Sequence, residues 1–130
     1  MWVLDTNTLI YFFKSEGRVA ETLLAKSPND IGIPAIVLFE IAVGIAKSSS
    51  PAKRTQQLGV LTSVVNVLSL GQSEAMASAE IRASLEQAGR PIGPYDTLIA
   101  GTAVAHGGVL VTRNTQEFSR VDGLRLEDWF

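Results

Sequence analysis

Apolar and polar positions in this chain follow two rhythms. Trp2-Val3-Leu4, Ile31-Gly32-Ile33, Val65-Asn66-Val67-Leu68 and Val109-Leu110-Val111-Thr112 are short, bulky and largely β-branched. Such runs predict strands buried on both faces. Longer segments between them carry helical spacing. Thr6-Asn7-Thr8 offers caps for a helix from Leu9 to about Lys14, and a second helix is expected from about Gly17 to Lys26 with Val19, Leu23 and Leu24 inward. Pro34 is well placed to start a helix carrying Ile36, Val37, Leu38, Phe39, Ile41, Val43 and Ile45. That helix is apolar almost all round and is expected to be deeply buried. A moderately amphipathic helix runs from Lys53 to about Val64. The clearest helix spans Ser73 to Gln87 and is closed by Gly89, and another runs from Pro94 to His106, ended by Gly107-Gly108. Ser27-Pro28-Asn29-Asp30 reads as a turn and Ser48-Ser49-Ser50-Pro51 as a loop. Glu117-Phe118 predicts a short helical turn, and Leu124-Arg125-Leu126 a final edge strand.

Strands alternating with helices predict an α/β sandwich: a mainly parallel central sheet flanked by helices, in one domain spanning residues 1–130. A hydrophobic content of 46% can build its core without staples. The chain has no cysteine, which excludes disulfides, thiolate zinc sites and cysteine nucleophiles and fits a reducing, cytoplasmic setting. The N-terminus has no basic region or small-residue cleavage site, so no signal peptide is expected, and no apolar stretch is long enough to span a bilayer. A net charge of -2 does not announce a nucleic-acid binder. An anionic substrate would need a local basic patch or a metal.

Four oxygen-bearing side chains stand out against this apolar background. Asp5 closes the first strand, and Asn114 leaves the strand ending at Thr112. Glu40 is the only charged residue between Asp30 and Lys47, and Asp96 follows Pro94 by two residues. Capping and helix-dipole contacts explain Asp5 and Asp96 individually, and a turn explains Asn114. Glu40 is harder to dismiss, because an ion pair in an apolar setting stabilises little. With Thr6 and Asn7 available as caps, Asp5 is free for other chemistry. Parallel sheets gather ligands beyond the carboxyl ends of their strands. Glu40 and Asp96 are expected in the first turns of their helices, where all four groups can converge. Carboxylates near a core call for a cation, and a hard divalent metal is the simplest one. Thr112 and Glu117 are placed to support that site. Arg90 and Arg113 flank its segments and are the best candidates for gripping phosphate. His106 is expected to meet a helix dipole and is not assigned as a ligand.

Leu4-Asp5-Thr6-Asn7, the isolated Glu40, Gly93-Pro94-Tyr95-Asp96 and Val111-Thr112-Arg113-Asn114 with Glu117-Phe118 together resemble PIN-domain ribonucleases. More narrowly, they resemble the VapC toxins of toxin–antitoxin pairs, over the span from Asp5 to Trp129. The resemblance implies a PIN-like three-layer sandwich and a magnesium- or manganese-dependent endoribonuclease that hydrolyses RNA phosphodiester bonds with a metal-activated water. Asp5, Glu40 and Asp96 match the family's acidic metal positions. Asn114 matches a fourth that is aspartate in many members, so this chain carries one charge fewer there. A homodimer and a VapB-type antitoxin, whose C-terminal segment lies across the active site, are implied as partners. Members close to the Gly-Pro-Tyr-Asp pattern include enzymes that cut transfer RNA.

Two other readings compete. Asp5-Thr6-Asn7-Thr8 faintly resembles the nucleophile loop of haloacid-dehalogenase-type phosphatases, although Asn7 stands where that chemistry wants a second acid. A PIN-like scaffold could also grip RNA or a partner without cutting. Three acids argue against that, because an RNA grip gains nothing from negative charge.

Overall fold

A computed structural model describes all 130 residues, Met1–Phe130. The element order is β1 (Trp2–Leu4), α1 (Thr6–Lys14), α2 (Val19–Leu24), a 3-10 turn (Pro28–Asp30), β2 (Ile31–Pro34), α3 (Ala35–Ala46), α4 (Pro51–Thr62), β3 (Asn66–Leu68), α5 (Gln72–Gln87), α6 (Pro94–Ala105), β4 (Val109–Val111), α7 (Thr115–Phe118) and β5 (Arg125–Glu127). The five strands form one sheet in the order β3-β2-β1-β4-β5, with every pairing parallel. The mainly parallel sheet read from the sequence is therefore wholly parallel, flanked by seven α-helices. No helix is long and apolar enough to cross a membrane.

The centre of the sheet explains the apolar runs. Val3, Leu4, Ile31, Ile33, Leu110 and Val111 have no exposed surface. Both faces of these strands are covered, so alternation disappears from the sequence. The edge strands are short and more exposed. Edge strand β5 is tied down by Glu127, whose carboxylate accepts from the indole of Trp2 at 3.2 Å and of Trp129 at 3.0 Å. The Trp129 bond foremost holds the Glu127 carboxyl below its ordinary range. Lys26 lies 4.3 Å above the Trp2 ring.

Chain direction reverses across the sheet between β1 and β4. The chain moves outward from β1 through β2 to β3, then returns to lay β4 on the other side of β1. Ligand crevices form at such switch points, beyond the carboxyl ends of the strands. Asp5 and Thr112 leave β1 and β4 side by side there, and the Asp5 amide donates to the Val111 carbonyl at 3.2 Å.

Helix α6 is fixed by unusually close packing on α5. Ala100 and Ala103 have no exposed surface, and Ser78 of α5 is 4% exposed. At Gly101, a Cβ atom would lie 2.7 Å from both the backbone nitrogen and the Cα of Ser78. Backbone cannot yield there as a flexible side-chain end would. The small residues of α6 thus let α5 set its position, and with it the position of Asp96.

Helix α3 departs from expectation. Only Val37 and Ile41 are buried, whereas Phe39 is 50% exposed and Val43 40%. Val37 and Ile41 form the buried i, i+4 stripe, with Ile36, Leu38 and Ile45 packed beside it, whereas Phe39 and Val43 stay largely exposed apart from the contact of Phe39 with Tyr95. Met76 of α5 is likewise exposed. Glu40 is the sixth residue of α3, in its second turn and not its first.

Gly101→Ala is expected to lower unfolding stability by about 3 kcal/mol, because overpacking against backbone has no inexpensive relaxation. Denaturant titration of the variant against the parent checks this.

Candidate active site

Asp5 is buried, 6% exposed, at the mouth between β1 and β4. It does cap α1: its Oδ1 accepts from the Thr8 amide at 2.8 Å. The expectation that Thr6 or Asn7 would cap in its place is corrected. Those residues already lie in the first helical turn, whereas Asp5 has the extended backbone a cap requires. The cap engages Oδ1, and the Thr112 hydroxyl bonds the same carboxylate. Burial raises the Asp5 pKa, while hydrogen bonds from Thr112 and Thr8 work against that rise. Thr8 is itself held by donating its hydroxyl to the Val111 carbonyl at 3.0 Å.

Asp96 lies in the first turn of α6, where Pro94 supplies a helix start without needing an N–H. Thr97 anchors that turn, sending both its amide and its hydroxyl to the Gly93 carbonyl at 2.9 Å. The Asp96 carboxyl is pushed up to about 6, first by desolvation and then by the charges of Glu117, Asp5 and Glu40. Four acids from four separate segments therefore feel one another at Asp96. Glu40 is oriented by Thr6, whose hydroxyl donates to Oε1 at 2.7 Å.

Thr112 has no exposed surface and accepts the Asn114 amide on its hydroxyl oxygen at 3.0 Å. It links Asp5 to the turn that carries Asn114. Asn114 in turn donates its side-chain amide to Glu117 Oε2 at 2.6 Å. Glu117 is the largest charged influence on Asp96. It is thus a member of the acidic group, a stronger part than the supporting one read from sequence. The i, i+3 spacing of Asn114 and Glu117 around the start of α7 was the signal for it.

Arg113 is exposed, and its guanidinium carbon lies over the Phe130 ring, 3.6 Å from the centroid, with the Tyr11 and Phe130 rings in an edge-type contact at 4.9 Å. A stacked guanidinium keeps its N–H edges available for phosphate. Arg90 is exposed between α5 and α6. Phe39 and Tyr95, each the residue before an acid, pack edge to face at 5.7 Å. His106 lies apart from this group, with Nε2 3.4 Å from Glu74.

The donor set is all oxygen, which suits a hard divalent cation. As the side chains stand, no group of three or more His, Cys, Asp or Glu is gathered closely enough to hold one. Glu40 is drawn to Thr6 and Glu117 to Asn114. The acids are nonetheless within electrostatic reach of Asp96. The fit is therefore one of chemistry and charge.

Residues 2–124 match the family model for the PIN domain. The chain is 36% identical over 128 residues to the tRNA(fMet)-specific endonuclease VapC of Shigella flexneri, covering 98% of this chain and 97% of that protein. It is 35% identical over 132 residues to ribonuclease VapC2 of Rickettsia felis, with 99% and 98% covered. Among solved structures, the fold is similar to VapBC2 from Rickettsia felis bound to a promoter DNA fragment, with TM-score 0.91, 33% identity, and 99% and 98% of the chains covered. DNA-bound VapBC from Salmonella typhimurium matches with TM-score 0.91 and 36% identity, with the same coverage. These likenesses leave the phosphatase reading without support.

Because the Asp96 carboxyl titrates near 6 when folded and near 3.8 when unfolded, the native state binds a proton that the unfolded chain has released. Cation-free stability is then expected to be greatest below about pH 4 as far as this group is concerned, and to fall as pH rises through about 6. Asp96→Asn removes that slope. The variant should be more stable than the parent at pH 7.5 by roughly 1 kcal/mol, after allowance for partial solvent screening. Thermal unfolding in chelator across this pH range checks it.

Proposed function

Since this chain belongs to the PIN-domain family, we propose that it is a VapC-type toxin, an endoribonuclease that requires Mg²⁺ or Mn²⁺. The single observation that supports this most is the placement of Asp5, Glu40 and Glu117 within electrostatic reach of Asp96, whose carboxyl is held at about 6 first by desolvation and then by their charges. Acids so arranged oppose one another and destabilise an empty site, an expense that makes sense for a protein that binds a cation there.

Asp5, Asp96 and Glu40 would hold the metal, with Asn114 and Glu117 completing the oxygen set. When bound, the cation would offset their repulsion and stabilise charge that develops on a scissile phosphate. The protein's own groups do the remainder. Thr112 and Thr8 fix the Asp5 carboxylate, so that it meets the substrate without reorganising. Thr6 orients Glu40 by donating its hydroxyl to Oε1 at 2.7 Å. Arg113, seated over Phe130, and Arg90 bind flanking phosphates. No histidine lies among these residues, so the attacking water either would give its proton to a carboxylate or would arrive already ionised by the metal. Such attack does not use the ribose 2′-hydroxyl and leaves a 5′-phosphate. The name of the Shigella flexneri relative makes transfer RNA the first substrate class to test.

The partners follow from the apolar surface. A cleft of about 320 Å³, lined by Ile10, Phe13, Ile41 and Ile45, runs up to Glu40 with Lys14 and Arg54 at its rim. It adjoins, through Phe13, a groove of about 620 Å³ where Leu24, Val60 and Val64 face solvent. A VapB-type segment would lay apolar anchors there and direct a basic side chain to the acids. The uncovered face of α3 is the natural seat for a second copy. The pair would act in the cytoplasm, where both its substrate and a reducing environment are found.

Asp5→Asn, Glu40→Gln and Asp96→Asn are each expected to lower RNA cleavage by at least 100-fold with the fold retained, read by cleavage of transfer RNA in Mn²⁺ and by circular dichroism. Sequenced products should carry 5′-phosphates, and a 2′,3′-cyclic phosphate end would contradict the mechanism. Leu24→Glu, remote from the acids and 74% exposed, is expected to weaken binding of the partner at least ten-fold while cleavage is unchanged. Calorimetric titration with the neighbouring gene's product tests that.

A further inference from the structure

Arg120 lies just beyond α7, on a segment pinned into the core by Phe118 at 1% and Val121 at 5% exposure. Its Nη1 donates to the Pro91 carbonyl at 3.0 Å. Pro91 stands three residues before Pro94, in the connection that leads into the first turn of α6 and Asp96. Its Nε is buried with no hydrogen-bond partner. A solvated surface arginine would carry no such cost, so this side chain is held in place and does not simply rest there. The same segment carries Glu117, and the Arg120 amide donates to the Glu117 carbonyl at 3.2 Å. One short stretch therefore supplies both a carboxylate within charge reach of Asp96 and a grip on the chain that presents Asp96.

Arg120 forms no ion pair with Asp96 or Glu117, and its side-chain hydrogen bond goes to the Pro91 carbonyl. Whatever Arg120 does for Asp96 passes through the Pro91 carbonyl and the rigid Pro91–Pro94 connection. We infer that Arg120 is a positioning residue, which fixes the start of α6 so that Asp96 and Glu117 keep the spacing that a shared divalent cation needs. This rests on the nuclease reading above.

Arg120→Gln and Arg120→Lys keep a donor, and Arg120→Ala removes it. Two quantities are measured on the full chain: the Mn²⁺ concentration for half-maximal thermal stabilisation, and kcat and KM for transfer RNA cleavage. Arg120→Ala is expected to raise the Mn²⁺ half-point about ten-fold and to lower kcat 10- to 100-fold, in the range typical of groups behind metal ligands, with KM within two-fold. Arg120→Lys should recover most of both. A purely structural role would lower the melting temperature in chelator without moving the Mn²⁺ half-point, and that outcome overturns the inference. So does a lysine variant no better than alanine. If the alanine variant does not fold, Arg120→Gln is expected to show an intermediate Mn²⁺ shift, and a parental half-point in that variant is equally fatal. A parent chain that neither responds to Mn²⁺ nor cuts RNA would instead overturn the nuclease reading, so the two failures are separable.

Discussion

Electrostatic repulsion among desolvated carboxylates is the constraint around which this molecule is arranged. Asp5, Glu40, Asp96 and Glu117 reach the same crevice from β1, α3, α6 and α7. Asp5 and Asp96 are costly to bury, and the charges of Glu40 and Glu117 add to that cost. The fold tolerates them by placing them at the carboxyl edge of a parallel sheet whose interior is fully apolar, and by giving most of them a neutral tether. Thr8 and Thr112 hold Asp5, Thr6 holds Glu40, and Asn114 holds Glu117. None of the tethers is a cation, so the negative field is kept undiminished at the point where a metal would enter.

The mechanical counterpart is close helix packing. Asp96 sits at one end of α6, and its place is only as firm as that helix. The small side chains of α6 bring it against Ser78 of α5, Pro94 and Thr97 define its first turn, and Arg120 secures the approach to it. Packing thus opposes the spreading that repulsion would otherwise drive.

Much of this was legible in the sequence. Continuous β-branched runs bounded by turns gave the strands, and a parallel sheet buried on both faces leaves no other pattern. Asp5, Glu40 and Asp96 stood out because charge is conspicuous in apolar surroundings. What could not be read is equally instructive. Helix α3 is apolar on every face, and periodicity cannot tell a face that meets the core from one that awaits a partner. The capping role of Asp5 was obscured because Asp, Thr and Asn are all competent caps, and only backbone geometry chooses among them. Glu117 reads as supporting the site through its closeness to Asn114, but its charge on Asp96 comes from folding and leaves no mark in the sequence. Arg120 gave no signal at all, since a bond to a main-chain carbonyl leaves no trace in the acceptor's identity.

The insertion of β4 between β1 and β5 has a consequence for folding. Asp5 lies far in sequence from its neighbours Val111 and Thr112, and the central seam of the sheet cannot close without them. A chain in which this seam is still open has the first acids yet no crevice to hold them. Because contacts between distant segments form slowly, the acidic edge is among the late features to assemble.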